Sequence, residues 1–336
     1  MSKENLEHLL QVLPHLAELT NQRQREQLEI TLAEALMACV EPQAIQFLTL
    51  VAKGKELSWF SRGCFFANKP PQLQEIIGAQ FEDMELLGYN SARLLVYQSA
   101  SEHVSSQDKQ TCTIFPVLGE HGVESLVEIT TATALQPLMM TVVKNMLQVF
   151  LNMNILLDHS ERDGLTGLLN IKSFQAAFLK AQAGVPLLGR DARIYDMYRE
   201  SEIPDVYWIA MVDIDYFKRV NDKFGHLVGD DILFQVAQLL KQNFRFHDRM
   251  YRFGGEEFII LMRCHNLKDA TTAVERFRKQ IHEYEFSNIG SLTMSIGLTQ
   301  LLNIDTPATA LDRVAKAIYR AKTEGRNRVA IELPEI

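Results

Sequence analysis

Residues 252–260 read Arg252-Phe253-Gly254-Gly255-Glu256-Glu257-Phe258-Ile259-Ile260. Two glycines between apolar runs predict a tight hairpin turn, because both turn positions can then adopt φ > 0. Two acids follow at once, so the turn holds their carboxylates beside whichever strand pairs with the hairpin. An apolar strand over 206–213 (Val206-Tyr207-Trp208-Ile209-Ala210-Met211-Val212-Asp213) runs into Asp213-Ile214-Asp215. If it is the neighbour, Asp213 and Glu256 converge into a hard-oxygen site suited to Mg2+. A Gly-Gly turn with acids is by itself only a turn, and Asp-Ile-Asp at a strand end only a cap. Their conjunction with the residues that follow decides the reading.

Asp215 leads into Tyr216-Phe217-Lys218-Arg219-Val220-Asn221-Asp222-Lys223-Phe224-Gly225-His226 and then Gly229-Asp230. The pattern predicts a short helix, a glycine stop, and a fresh helix starting at Asp230 with Asp230 or Asp231 as N-cap. Around this core the period predicts helices at 171–182, 230–243, 268–283 and 308–323, a hairpin over 250–262 and a strand at 291–298. Segment 183–205 is aperiodic and reads as a loop.

The N-terminal half has a different texture. Leu9, Leu10, Leu13, Leu16 and Leu19, then Leu28, Leu32, Leu36 and Ile45, predict helix across 6–50. From about 55 the period shortens, predicting strands at 91–98, 111–118 and 123–130, the last two joined by a hairpin loop at Gly119–Gly122. A helix over 136–162 closes the domain. Its Met139, Val143, Met146, Phe150, Met153 and Leu157 form a heptad seam. Two readings stand for it: packing on the domain's own sheet, or a parallel two-helix stalk joining two subunits. The expected layout is α+β, with domains at 1–135 and 163–336 and the helix 136–162 connecting them.

A chain of 336 residues exceeds the usual single domain, and two are expected. A net charge of −8 argues against a general nucleic-acid or anionic-membrane binder, so any phosphate site must be local. Cys39, Cys64, Cys112 and Cys264 are scattered with no C-x-x-C pair and read as reduced thiols. Cys64, Cys112 and His121 read as structural or exposed rather than as ligands. The polar, acidic start lacks signal-peptide order, and no apolar run was expected to reach the roughly 18 residues that span a bilayer. A cytoplasmic protein without membrane insertion is the expectation.

The C-terminal half resembles a GGDEF domain, the catalytic domain of diguanylate cyclases. Seven ordered motifs across 160–332 carry the resemblance: Asp163-Gly-Leu-Thr-Gly-Leu-Leu-Asn170, Asp213-Ile-Asp-Tyr-Phe-Lys218, Asn221-Asp222, Gly225-His226, Gly229-Asp230, the GGEEF turn, and Ala321-Lys322-Thr-Glu-Gly325-Arg326-Asn327. It departs from the family at Ile171-Lys172, where Arg-Arg is usual. The resemblance implies a fold similar to the palm of polymerases and nucleotide cyclases, with helices on one sheet face and two metals on the other.

It further implies condensation of two GTP into cyclic di-GMP and pyrophosphate by a homodimer, each domain holding one GTP. Asp213, the Ile214 carbonyl and Glu256 would hold Mg2+, or Mn2+ in its place. Glu256 is also the implied base, an ambiguity the sequence leaves open. Lys218 would stabilise developing phosphate charge, and Lys322 and Arg326 would contact the triphosphate. Gly254 and Gly255 would make room for the nucleotide, and Asn221 and Asp230 would read guanine. His226 is either a substrate contact or a helix-stop residue. Arg245-Phe246-His247-Asp248 matches the family's inhibitory product site, with Arg276 as a further arginine. The alternative is a catalytically silent GGDEF domain that binds cyclic di-GMP. The N-terminal half resembles a GAF domain in layout, as a sensor for a ligand or upstream partner that the sequence does not identify.

Overall fold

The computed structural model describes residues 3–53, 56–67, 69, 72–73, 84–107, 110–119, 122–182, 206–245, 247–287 and 289–334. They fall into two compact units that divide between Ser160 and Glu161.

The first unit contains α1 (Lys3–Asn21), α2 (Arg25–Val40), β1 (Ala44–Lys53), β2 (Glu56–Phe66), β3 (Gln72–Leu73), β4 (Glu85–Leu86), α3 (Ser91–Ser99), β5 (His103–Gln107), β6 (Gln110–Gly119), β7 (Gly122–Thr131) and α4 (Pro137–Glu161). Its antiparallel sheet has the order β3-β2-β1-β7-β6-β5, with β4 beside β2. Ile45, Phe47, Phe115, Val127 and Ile129 meet α1, α2 and α4 on one face. Trp59, Ile114 and Leu126 meet Val96 of α3 on the other.

Two expectations are corrected here, and of the two readings of the α4 seam the packing on the domain's own sheet is the one observed. The helix expected across 6–50 ends at Val40, where Glu41 turns left-handed at φ 48°, and Ala44 begins a strand. The strand expected at 91–98 is helix α3. Asn90 caps it by accepting from the backbone N–H of Ala92 and Arg93 at 3.0 and 3.2 Å. Arg93 and Val96, three apart, are its buried face. The seam on α4 is not a bare stalk face. Val143, Met146, Phe150, Met153 and Leu157 are buried in this unit's own core, with Met139 packed against it.

By length and composition α4 is also apolar enough to cross a bilayer, contrary to the expectation from the sequence. The apolarity of its buried face is used inside the unit. The strands expected at 111–118 and 123–130 are β6 and β7, with Gly119 opposite Gly122. His121 lies outside the described residues. Cys39 is buried and Cys64, Cys112 and Cys264 are half-buried.

The second unit holds β8 (Leu169–Asn170), α5 (Ile171–Gln182), β9 (Val206–Ile214), α6 (Phe217–Phe224), α7 (His226–Asn243), β10 (Arg249–Gly254), β11 (Glu257–Cys264), α8 (Leu267–Glu283), β12 (Met294–Gln300), α9 (Pro307–Thr323) and β13 (Val329–Ile331). The sheet order is β13-β12-β9-β11-β10-β8. Central β9 is antiparallel to both neighbours, and its apolar run follows from being buried on both faces. Ala210 and Val212 face Val236 of α7 and Val274 of α8, whereas Ile209 and Met211 face Phe174 of α5 and Val314 of α9.

Helices therefore cover both sheet faces, not one as the resemblance implied, and the acids gather at a strand end rather than on an open face. The loop expected at 183–205 lies outside the described residues.

Candidate active site

Strand β9 lies between β11 and β12, with Asp213 opposite both Glu257 and Ser295. The neighbour expected for the hairpin is thus the one observed. The turn itself is shifted by one residue. Gly254 pairs with Glu257, so Gly255 and Glu256 form the tip, and of the two glycines only Gly255 has positive φ, at 36°. Only one left-handed position is needed, and Glu256 sits on the tip beside the end of β9. The amide of Ile214 donates to the Glu256 carbonyl at 3.4 Å.

Arg252 fastens the tip. Its guanidinium donates to the Gly255 carbonyl at 3.0 and 3.3 Å and to both oxygens of Asp163 at 3.1 and 3.2 Å. Asp163 also accepts from the Thr166 amide and hydroxyl. Burial pushes the Asp163 carboxyl up, but these bonds from Thr166 and Arg252 hold it below its ordinary value. The Asp163–Asn170 motif is therefore an anchor for the acidic turn.

Asp213 is buried, and Lys322 Nζ donates to its Oδ2 at 2.6 Å. Burial raises its carboxyl, opposed by Lys322. Glu257 is also raised, by burial and then by the charge of Asp213. Lys322, expected on the triphosphate, here pairs directly with a buried carboxylate that Arg326 also opposes through its charge. Among the described residues no three acids, cysteines or histidines gather as a ready metal cage. The donor set of Asp213 and Glu256 carboxylates with the Ile214 carbonyl is nonetheless hard oxygen, crowded with negative charge, and fits a divalent cation.

Sequence reasoning missed the part played by Asp215. Buried at 4% exposure, it accepts from Thr293 Oγ1 at 2.6 Å, Ser295 Oγ at 2.7 Å and the Asn327 amide at 3.1 Å. It ties β9 and β12 to the turn after α9, where Arg326 and Asn327 are both left-handed, at φ 64° and 44°. The signal was available: the second acid of Asp-Ile-Asp is followed far downstream by Thr293 and Ser295, alternate residues leading into a strand.

A second group lies on α6 and α7. The expected helix start at Asp230 is corrected to His226, because Gly225 at φ 86° turns the chain and Gly229 N–H already closes a turn onto the Gly225 carbonyl. Asp230 is exposed inside the helix, one turn beyond His226. Asn221 Oδ1 is buried without a hydrogen-bond partner. It lies against Gly229, where an added Cβ would come within 1.9 Å of it. Lys218 is exposed on α6 and makes no hydrogen bond among the described residues.

Asn221 lies four residues beyond Phe217 in α6, about 6 Å of rise, so the acids that precede the helix and the Asn221 oxygen are parted by about one helical turn.

Arg245 and Asp248 lie apart from this site, beyond the C-terminal end of α7. They form a closed turn in which the Arg245 amide donates to Asp248 Oδ2 at 2.9 Å. Arg276 donates to the side-chain and backbone oxygens of Asn243, at 3.0 and 2.6 Å. Its charge still bears on Asp248. Phe246 is outside the described residues.

The family described as "Diguanylate cyclase, GGDEF domain" matches residues 196–328. Over those residues the C-terminal unit is similar to a GGDEF domain. Diguanylate cyclase A of Treponema denticola is 34% identical over 142 residues, covering 41% of this chain. Diguanylate cyclase DgcM of Escherichia coli K12 is 32% identical over 174 residues, covering 52%. The matched regions span 38% and 39% of those relatives' own lengths. The solved coiled coil and GGDEF domain of DgcB from Caulobacter crescentus, in complex with c-di-GMP, is 22% identical with a TM-score of 0.47, covering 57% of this chain and 96% of that one. That last likeness is too slight to carry weight.

Proposed function

We propose that the chain condenses two GTP into cyclic di-GMP and two pyrophosphates. The observation that carries this reading is the pairing of an acidic mouth at Asp213 and Glu256 with the orphaned Asn221 oxygen one turn into α6. A buried acceptor without a donor asks for a ligand bearing N–H groups, and the guanine edge offers N1–H and N2–H2. Asp230, one residue beyond Gly229, supplies a carboxylate to share that donor pair. Adenine lacks N1–H and would leave an acceptor unpaired.

In the reaction each ribose 3′-hydroxyl attacks the α-phosphorus of the other GTP. The new P–O bond replaces the one to the bridging oxygen, and pyrophosphate departs. The hydroxyl proton passes to a base, for which Glu256 at the turn tip is the candidate. Asp213, the Ile214 carbonyl and Glu256 would hold Mg2+ or Mn2+. Bound there, the cation would neutralise charge on the departing pyrophosphate. Lys218, Lys322 and Arg326 supply the protein's own positive charge, Lys322 by leaving Asp213 for the phosphates. His226, at the head of α7, faces solvent where a substrate phosphate or base could meet it.

One domain holds one GTP, so two chains must face each other, and effective concentration then contributes to the rate. The single copy of the site per chain supports a homodimer. Product binding at Arg245 and Asp248, assisted by Arg276, would limit turnover. For the N-terminal unit we propose a sensor of GAF-like layout, supported by its antiparallel sheet between leading and closing helices. A cavity of about 390 Å3 lined by Asn90, His103, Cys112 and Glu128 offers room for a small ligand. A cytoplasmic location is consistent with this reading.

The test is incubation of the full chain with Mg2+ and GTP, then ATP, with the products identified. Cyclic di-GMP from GTP alone is expected, and none from Glu256→Ala, which should keep the wild-type circular dichroism spectrum. Wild-type turnover by that variant, or no product from the parent chain, would refute the assignment.

A further inference from the structure

Tyr216 joins β9 to α6 in a left-handed conformation, φ 59° and ψ 25°. A side chain is strained there, and glycine or asparagine is the cheaper choice. A tyrosine at such a position points to a role for its side chain. Core packing is not the reason, because Tyr216 is 51% exposed.

Its ring instead carries two guanidiniums. The Arg219 and Arg326 carbons each lie 4.5 Å from the ring centroid. Neither guanidinium donates a hydrogen bond among the described residues. Arg326 is itself left-handed, and Asp215, the residue before Tyr216, binds the amide of Asn327, the residue after Arg326. One buried carboxylate therefore pins both strained segments side by side.

Two like charges on one ring repel each other, and the ring's negative face offsets this only in part. Two planar forks with unused donors beside a charged mouth are suited to an anion with several oxygens.

We propose that Arg219, Tyr216 and Arg326 form a preassembled clamp for the polyphosphate of a nucleoside triphosphate. Arg219 is a further substrate-binding residue, and Tyr216 is a positioning residue that holds both arginines. The inference rests on the proposed function for the identity of the ligand, but not for its anionic class. Tyr216 enters no chemical step. Its ring fixes the guanidiniums before substrate arrives, so less side-chain freedom is lost on binding.

The test is calorimetric binding to the full chain with Mg2+. The probes are inorganic tripolyphosphate, GMP, and a GTP analogue whose α,β-bridging oxygen is replaced by methylene. Arg219→Ala and Tyr216→Ala are each expected to weaken the GTP analogue and tripolyphosphate about fivefold, in keeping with one exposed cation–π or phosphate contact, while GMP is less affected. Tyr216→Phe keeps the ring and should bind as the parent does. In an Arg219→Ala/Arg326→Ala background, Tyr216→Ala should have no further effect. Unchanged analogue affinity in Arg219→Ala, equal losses for GMP and analogue, or a Tyr216→Phe variant as weak as Tyr216→Ala would each overturn the clamp. Failure of the parent chain to make cyclic di-GMP while these binding differences hold would reject the cyclase reading and leave the clamp standing.

Discussion

Single atoms set the chemistry of the C-terminal unit. Asn221 Oδ1 has no donor and Gly229 leaves it no room to retreat. Gly229→Ala should therefore displace Asn221, because the new Cβ would stand 1.9 Å from its oxygen. We expect KM for GTP to rise about tenfold with a smaller change in kcat, consistent with losing about 1–3 kcal/mol of base recognition. A variant with parental KM would show that Asn221 does not read the base. Much at this scale was legible in the sequence, because Asp213, Glu256, Asn221 and Asp230 sit in motifs whose order survives without coordinates. The Lys322 pairing with Asp213 was not legible, because the two are 109 residues apart and no local pattern reports so distant a pair. The Tyr216 stack was invisible for a related reason. A positive φ at a non-glycine residue leaves no mark in composition or period.

Among the elements, α3 shows where period fails. Leu94-Leu95-Val96-Tyr97 is a continuous apolar run that suits a strand as well as a helix, and the Asn90 cap decides for the helix. A charge then docks that helix. Arg93 Nε and Nη2 donate to the two oxygens of Glu128 on β7 at 2.7 and 2.9 Å, and Nη1 donates to Glu85 at 2.9 Å. Arg93 and Glu128 are both 8% exposed. Arg93→Ala would leave a buried carboxylate without its counter-charge, at a cost of about 3–5 kcal/mol. Urea unfolding of the N-terminal unit should register that loss, and a shift under 1 kcal/mol would mean that solvent already screens the pair. The heptad seam on α4 was read correctly as apolar and periodic, but periodicity does not say what covers it. Here Phe47 and Phe115 of the same unit share its core. The hairpin, β9, α8 and α9 were readable because their apolar spacing is unbroken, and glycine-led ends such as that of α7 were less so.

For the whole molecule, the proposed activity and its proposed limit meet at Asp248, which lies away from the acidic mouth. Burial raises its carboxyl to about 6, against the opposing pull of the Arg245 amide and charge, the Arg263 backbone and Arg276. The His247 ring lies 3.8 Å from Oδ1. The folded chain thus holds this proton more tightly than the unfolded chain, whose aspartate titrates near its ordinary value. Stability from the group is complete below that ordinary value and is lost as pH rises toward about 6. Asp248→Asn should therefore raise the Tm at pH 8 more than at pH 4.5. Product binding runs the other way. A cyclic dinucleotide that offers guanine N–H donors needs the ionised carboxylate, so it must bind against protonation. Below about pH 6 the inhibition constant for cyclic di-GMP should rise by up to about tenfold per pH unit, once turnover itself is normalised. Arg245→Ala should weaken inhibition at every pH by removing the phosphate clamp, whereas Asp248→Asn should abolish its pH dependence. Inhibition that is flat from pH 5 to pH 7.5 in the parent chain would show that Asp248 does not face the product, and the off-switch would have to lie elsewhere.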